Sequence, residues 1–435
     1  MPPTPDPPQP DLHRTIEAVW RIEAAKVIAS VARMVRDVGL AEDLAQDALV
    51  AAIEHWPRQG VPDNPGAWLT TTAKNRALDQ LRHARMQQDK LEQLGWDLQA
   101  QEALIVPDFV DALDAARADE IGDELLSLIF TACHPVLSPE ARVALTLKVL
   151  GGLSTAEIAR AYLVPEATMA QRIVRAKRTL SAAQVPFAVP RGEELSERLA
   201  AVLSVIYLIF NEGYTASSGD DWMRPALCDE ALRLGRMLAG LAHAEPEVHG
   251  LLSLMALQAS RAKARVDAQG HAVLLPDQDR RRWDTLLIRL GLNALERAEQ
   301  LAREQRQALG SYALQAAIAA CHARAHQAAD TDWVRIVGLY DALHQLTPSP
   351  VVMLNRAVAV SMAYGAQAAL PLVEELSRDP AMQRYPWLHS VRGDLLDKLE
   401  LRELACQAFE QAWALSSNAR DRDVLQQRIQ RLQSS

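Results

Sequence analysis

Three helix starts and two stops fall between Ser138 and Leu180, and this punctuation constrains the fold more than any other stretch of the chain. Ser138-Pro139-Glu140 opens a helix: the serine caps free N–H groups, and proline at the first helical position lacks an N–H that would have no partner there. That helix is predicted to run to Leu150 and stop at Gly151-Gly152. Ser154-Thr155-Ala156-Glu157 is a capping box that opens a shorter helix through Ile158, Ala159 and Tyr162. A tight turn at Leu163-Val164 leads to Pro165, read as the first residue of a last helix. Met169, Ile173, Ala176 and Leu180 form its inner side, and Thr168, Gln171, Arg172, Arg175, Lys177 and Arg178 its outer side. A short helix, a turn and a basic helix match a helix-turn-helix. A generic helical hairpin is the alternative, but it has no need of so basic a second helix. Glu166, Ala167, Thr168, Gln171 and Arg172 sit near the helix N-terminus, where side chains reach base edges, whereas Arg175, Lys177 and Arg178 suit phosphates.

A second helical unit lies upstream. Leu12–Val38 carries apolar residues at helical spacing and is expected to end near Gly39. AEDLAQDALVAAIEHW follows, with Leu40, Leu44, Ala48 and Ala52 facing inward and Asp43, Gln46 and Asp47 gathered on another face. The break Pro57–Gly66 ends this helix and starts the next. There Leu69, Ala73, Ala77 and Leu81 recur every four residues and are expected to face inward. Trp68, Asn75, Asp79 and Arg82 fall on the flank, and Lys74, Arg76 and Arg85 add positive charge. A helical bundle with a solvated surface accounts for a charge stripe. It does not account for Trp, Asn and Arg together on one face, groups that stack on and hydrogen-bond unpaired bases while cations hold phosphates.

The net charge of −9 argues against a nucleic-acid partner only until it is resolved along the chain. Asp89–Glu124 holds eleven acids against Lys90 and Arg117, and Arg142–Arg178 holds seven bases against Glu157 and Glu166. Segregation alone decides nothing, since acidic linkers are also merely solvated. At 435 residues, with apolar residues at 49% and β-branched residues sparse, the chain reads as roughly three all-α domains. The dense apolar run Leu203–Phe210 is too short to cross a bilayer. The Pro-rich, acidic start MPPTPDPPQPD has no signal-peptide pattern and reads as a disordered arm, so a soluble, cytoplasmic protein is expected. Cys133, Cys228, Cys321 and Cys406 lie far apart and read as small buried hydrophobes. Cys321-His322 with His326 is the nearest approach to a metal site, but no fourth ligand stands nearby; no metal and no cofactor is implied.

The C-terminal half is helical with two polar, Gly-containing interruptions, FNEGYTASSGDDW and RVDAQGHAVLLPDQDRRRWD. Both are ordinary inter-helix loops or a ligand site; Asn211, Glu212 and Tyr214, with Arg265, Asp277, Asp279 and Arg280, are the candidate regulatory residues. No nucleophile–base set and no phosphate loop stands out, so an enzyme is not expected. Gly393, Leu396, Ala405, Phe409 and Ala412 fall at the spacing of a tetratricopeptide unit, and an approximate unit precedes it from Trp333 to Leu376, with Asn355-Arg356-Ala357 placed at its turn. Such pairs bury their faces by stacking, which creates a concave surface for a regulatory protein or peptide. An ordinary α-hairpin is the alternative.

Taken in order, these stretches resemble the sigma-70 family of RNA polymerase sigma factors, in its extracytoplasmic-function class. AEDLAQDALVAAIEHW resembles the stretch of region 2 that docks on the polymerase β′ coiled coil. NPGAWLTTTAKNRALDQLR resembles the part that binds and melts the −10 element, with its AWL and N-x-x-x-D-x-x-R pattern. LSPEARVALTLKVLGGLSTAEIARAYLVPEATMAQRIVRAKRTL resembles the −35 reader of region 4. Region 3 is missing. The resemblance implies that Asp43, Gln46 and Asp47 contact core polymerase, that Trp68, Asn75, Arg76 and Arg82 lie near the −10 strand, and that the helix from Pro165 enters the −35 major groove. Val164 stands where a capping Ser or Asp is common, and Leu163 where the turn often has Gly. The long C-terminal half is similar to the extensions of the group regulated through them rather than by a membrane anti-sigma factor.

The expected organisation is a disordered arm (1–11), a region 2 bundle (12–88), an acidic linker (89–120), a region 4 helix-turn-helix domain (121–183) and a short linker (184–192). A helical extension (193–327) and tetratricopeptide-like repeats (328–435) follow. The rivals are a helix-turn-helix activator with a tetratricopeptide sensor and a scaffold whose basic helices are only surface. The expected partners are core RNA polymerase, through its β′ coiled coil, and promoter DNA, with no membrane.

Overall fold

A computed structural model describes residues 12–92, 117–162, 164–214, 224–267, 273–416 and 419–434. Among them there are helices and no β-strand, as an Ala- and Leu-rich chain poor in β-branched residues requires. The chain divides into two compact units, Met1–Leu241 and Ala242–Ser435. The arm at 1–11 and the middle of the acidic linker, 93–116, lie outside the described residues.

The first unit begins with three helices, α1 (Leu12–Val35), α2 (Val38–Gln59) and α3 (Pro65–Glu92), packed around Ile28, Ala32, Leu44, Ala48, Trp56, Leu69 and Ala73. Removing each larger apolar side chain from water contributes roughly 1.5–3 kcal/mol. The first turn comes earlier than Gly39. Arg36 takes a left-handed φ of 53°, and the Asp37 side chain caps α2 by accepting from the Leu40 N–H at 2.8 Å, leaving Gly39 buried inside the helix. Pro57 does not end α2 either. It sits in the last turn, and the helix stops at Gly60, whose φ of 82° suits glycine. Asn64 caps α3 by accepting from the Ala67 N–H at 3.0 Å. Leu69, Ala73 and Ala77 are buried as expected, but Leu81 is 42% exposed. A four-residue step overshoots the helical turn by about 40°, so three steps carry Leu81 about 120° away from Leu69.

Four helices follow: α4 (Arg117–Ala132), α5 (Pro139–Val149), α6 (Thr155–Ala161) and α7 (Glu166–Ala182). Ser138 caps α5 as expected, and Leu150 is its C-cap. The capping box of α6 is complete: the Ser154 N–H donates to Glu157 Oε2 at 2.8 Å, and the Glu157 N–H donates to Ser154 Oγ at 3.2 Å. Pro165 is the N-cap of α7 rather than its first helical residue. Its ψ of 141° is extended, and its carbonyl accepts from the Met169 N–H. Phe130, Leu145, Ile158, Met169, Ile173 and Leu180 fill the interior.

Helices α8 (Glu193–Tyr214) and α9 (Pro225–Leu241) complete this unit and pack on α4 and α5. Asn211, Glu212 and Tyr214 therefore belong to a helix and not to a loop. Gly213 keeps its place because a Cβ there would meet the Cys228 N at 2.7 Å, so the glycine lets α9 approach.

The second unit is a succession of helices, joined by short connections after α11: α10 (Pro246–Ala259), α11 (Thr285–Glu304), α12 (Ser311–Arg324), α13 (Trp333–Leu346), α14 (Pro350–Tyr364), α15 (Ala366–Leu376), the single turn α16 (Pro380–Gln383), α17 (Pro386–Lys398), α18 (Arg402–Leu415) and α19 (Ala419–Ser434). The stretch between α10 and α11 holds short 3₁₀ turns at Ala262–Ala264, Leu275–Asp277 and Arg280–Arg282, so this interruption is real. Gly393 packs against Phe409, where a Cβ would lie 2.7 Å from the ring, and lets α17 approach α18 closely. Asn355-Arg356-Ala357 lies inside α14 instead of at a turn: Ser349-Pro350 starts that helix and Gly365 ends it, so Trp333–Leu376 spans three helices. Cys133, Cys228 and Cys321 are buried; Cys406, in α18, is only half-buried. Among the described residues no helix is long and apolar enough to cross a membrane.

Candidate nucleic-acid interface

Helix α7 owes its orientation to four buried residues, Met169, Ile173, Ala176 and Leu180, which fix one face inward. The opposite face presents Glu166, Thr168, Gln171 and Arg175 to solvent, with Arg172 half-buried beside them. Ser138, Thr168, Gln171, Arg172, Arg175 and Thr179 line a groove of about 400 Å³ along this face. Donors, acceptors and two guanidinium groups on one solvent-facing helix surface are what base edges and phosphates need.

Helix α3 shows a different surface. Trp68 is half-buried, its ring 5.5 Å from that of Trp56 in an edge-to-face arrangement and 6.5 Å from His55. Asn75 is exposed one face along, and Lys74 and Arg76 are half-buried. Arg82 is exposed and pairs with Asp79 at 3.5 Å on its own helix. Arg85 belongs to α3 as well.

On α2, Asp43 and Asp47 are exposed and Gln46 is half-buried. Neither acid stands alone. Asp47 pairs with Arg76 at 3.4 Å, and Asp43 accepts from Lys177 Nζ at 2.8 Å. Lys177 also pairs with Glu42, a buried carboxylate that lies 3.5 Å from Lys148. Burial acts to lower the Lys177 ammonium, but Glu42 and Asp43 outweigh it and raise it above the usual lysine value. Two further ion pairs join the same modules: Arg21 with Glu157 at 2.6 Å and Arg33 with Glu124 at 3.0 Å. Lys177 is thus held by α2 rather than turned out with Arg175. Glu42 is the residue that pattern reading passed over; an acid one position before the exposed Asp43 carries no sequence signal that it is buried.

The candidate regulatory residues divide between the two units. In the first, Glu212 pairs with Arg224, and the Tyr214 ring stacks on Phe210 at 5.5 Å. Asn211 is half-buried beside them on α8. In the second, Arg280 donates to the Ala325 carbonyl at 2.7 Å and to that of His322, and reaches Thr331 Oγ1 at 3.2 Å, clamping the end of α12. Asp279 is exposed and pairs with Arg281 at 2.9 Å, Asp277 is exposed, and Arg265 is half-buried. His322 is buried against the Trp333 ring, 5.2 Å away, and burial followed by Arg261 and Arg280 lowers it to about 4. Among the described residues no group of three His, Cys, Asp or Glu side chains could hold a metal ion.

Three family models match the chain: sigma-70 region 2 over residues 21–86, sigma-70 region 4 over 127–180, and a family of unknown function (DUF6596) over 198–299. The uncharacterized protein R00370 of Rhizobium meliloti is 43% identical over 408 residues, 94% of this chain and 93% of that protein. The probable ECF RNA polymerase sigma factor SigI of Mycobacterium tuberculosis is 27% identical over 179 residues, 41% of this chain and 58% of SigI. ECF RNA polymerase sigma factor SigL of the same species is 28% identical over 168 residues, 38% of this chain and 86% of SigL. No solved structure matches.

Proposed function

The chain belongs to the sigma-70 family of RNA polymerase sigma factors, in its extracytoplasmic-function class with a long C-terminal extension, and we propose a division of labour among its modules on that premise. Region 2 docks on the β′ coiled coil of core RNA polymerase through Asp43, Gln46 and Asp47. The α3 surface of Trp68, Lys74, Asn75, Arg76, Arg82 and Arg85 takes the −10 strand. Helix α7 reads the −35 duplex, with Glu166, Thr168, Gln171 and Arg172 toward base edges and Arg175 and Lys177 toward phosphates.

The observation that carries this reading is the two-sided character of α7: Met169, Ile173, Ala176 and Leu180 are used in packing, and Thr168, Gln171, Arg172 and Arg175 line a solvent-facing groove. Chemistry on the nucleotides belongs to the polymerase. What this chain supplies is binding energy: melting a few base pairs costs a few kcal/mol, which capture of flipped bases offsets. Lys177, tied to Glu42 and Asp43, must leave that contact before it can hold a phosphate, so the two modules separate on the promoter. The extension is required for this activity rather than inhibitory, and it acts inside the cell without a membrane partner; the concave side of the repeats receives a regulatory protein or peptide. Run-off transcription with sigma-free core polymerase, comparing the full chain with a chain ended near Pro186, tests the reading. Normal transcription by the shortened chain overturns the requirement.

A further inference from the structure

We propose that α8 and α9, the first helices of the extension, are a brace built onto region 4, and that Arg198, Arg224 and Arg233 are positioning residues for the −35 reading helix. The last carbonyls of any α-helix have no partner within it, and they form the negative end of its dipole. Region 4 places three such ends ahead of α7, and each receives one arginine from the extension. Arg198 Nη2 donates to the Phe130 carbonyl in the last turn of α4, at 2.8 Å. Arg233 donates to the carbonyl of Leu150, the C-cap of α5. Arg224 donates to the carbonyl of Ala161, the last residue of α6.

Every one of these guanidinium groups is also held from behind by a carboxylate of the extension itself. Glu194 holds Arg198 at 2.9 Å, Glu230 holds Arg233 at 2.7 Å, and Glu212 holds Arg224. A half-buried cation with no purpose would be a net cost. Here the Arg198 and Arg224 side chains are only 8% and 13% exposed, and the fork of each guanidinium links an extension carboxylate to a region 4 carbonyl. The Ala161 end matters most for reading DNA. Only three residues, 162–164, separate it from Pro165, the N-cap of α7, and the Val164 N–H donates back to the Ala159 carbonyl of α6 at 3.0 Å, so fixing the end of α6 fixes the entry of the reading helix. The ring of Tyr162 lines a cavity of about 210 Å³ with Arg172 of α7 and with Leu208 and Glu212 of α8, so extension and reader share one wall. The compact unit accordingly runs on to Leu241, past the end of region 4. This gives a role to the beginning of the segment matched by the family of unknown function, which starts at residue 198.

This inference rests on the reading of α7 as the −35 reader, and the test separates the two. Full-length Arg224→Gln and Arg233→Gln are compared with Arg224→Lys and with the unaltered chain, for binding a −35 duplex and a −10 single strand, and by hydrogen exchange at the amides of α7. Expected are a loss of about tenfold in duplex affinity with single-strand binding unchanged, faster exchange in the first turn of α7, and partial recovery with lysine. Unchanged duplex affinity and unchanged exchange overturn the brace, as does an equal loss of both ligands in the glutamine and lysine variants. If the unaltered chain binds no −35 duplex, the reading of α7 fails, and exchange in its first turn still decides whether the arginines position it.

Discussion

Lys177 Nζ lies 2.8 Å from Asp43 Oδ1, joining the helix expected to hold −35 phosphates to the helix expected to meet the polymerase. The same lysine reaches buried Glu42, and Asp47 engages Arg76 of the −10 surface. Both acids of the proposed docking patch are therefore neutralised by cations of the proposed DNA surfaces. A basic partner that takes over Asp43 and Asp47 is expected to free Arg76 and to leave Lys177 held by Glu42 alone, and a polyanion that takes Lys177 is expected to free Asp43.

Weakening that exchange should expose DNA affinity in the free protein. Asp43→Asn removes an exposed carboxylate without opening the core. It is expected to raise affinity of the free chain for a −35 duplex several-fold at low salt, measured by fluorescence anisotropy. The gain should shrink as salt screens the contact. An affinity equal to that of the unaltered chain would show that Lys177 is not restrained by this pair.

Asp47→Ala should weaken binding to core polymerase by about tenfold or more and leave the melting temperature within a few degrees. Its ion pair with Arg76 is long and exposed, a class that contributes roughly 0–1 kcal/mol. Binding by a pull-down titration, alongside a thermal melt, checks both halves. A large drop in melting temperature would make Asp47 structural.

On α7, Arg172→Ala should relax sequence preference at the −35 element, because a good guanidinium–base pair discriminates by about 1–3 kcal/mol. Arg175→Ala should weaken all duplexes alike and reduce the salt slope by about one. Competition binding with single-base variants at two salt concentrations separates these outcomes; equal effects of both substitutions would contradict the assignment.

His322 gives the second unit a pH dependence. Its folded value, about 4, is below the ordinary 6.5, so the unfolded chain binds the proton more readily. Stability from this residue is fully present above about 6.5 and is lost as pH falls toward 4, by an amount on the order of 3 kcal/mol. His322→Phe keeps an aromatic ring against Trp333 and should flatten that part of the curve in thermal melts between pH 7.5 and 4.5. An unchanged difference between the two pH values would exclude His322 as the cause.

Local signals proved readable where backbone chemistry is self-contained. The caps at Ser138 and Ser154 and the inward face of α7 depend on residues three or four apart, and they stand as the sequence indicated. Leu81 shows how a pattern drifts when four-residue steps are extended over several turns. Asn211, Glu212 and Tyr214 looked like a loop because Gly213 suggests a break, yet that glycine serves a close helix contact. The pairing of Lys177 with Glu42 and Asp43, more than 130 positions away, leaves no trace in either segment; charges matched across such distances are set only by packing.

The most direct measurement is a run-off transcription assay with core RNA polymerase freed of other sigma factors, the full-length chain and a promoter carrying both −35 and −10 elements. Expected is a transcript of defined length that requires this chain and both promoter elements. It should be lost with Asp47→Ala at limiting polymerase and return at excess polymerase. Duplex binding without any transcript would contradict the account and leave a helix-turn-helix activator in its place.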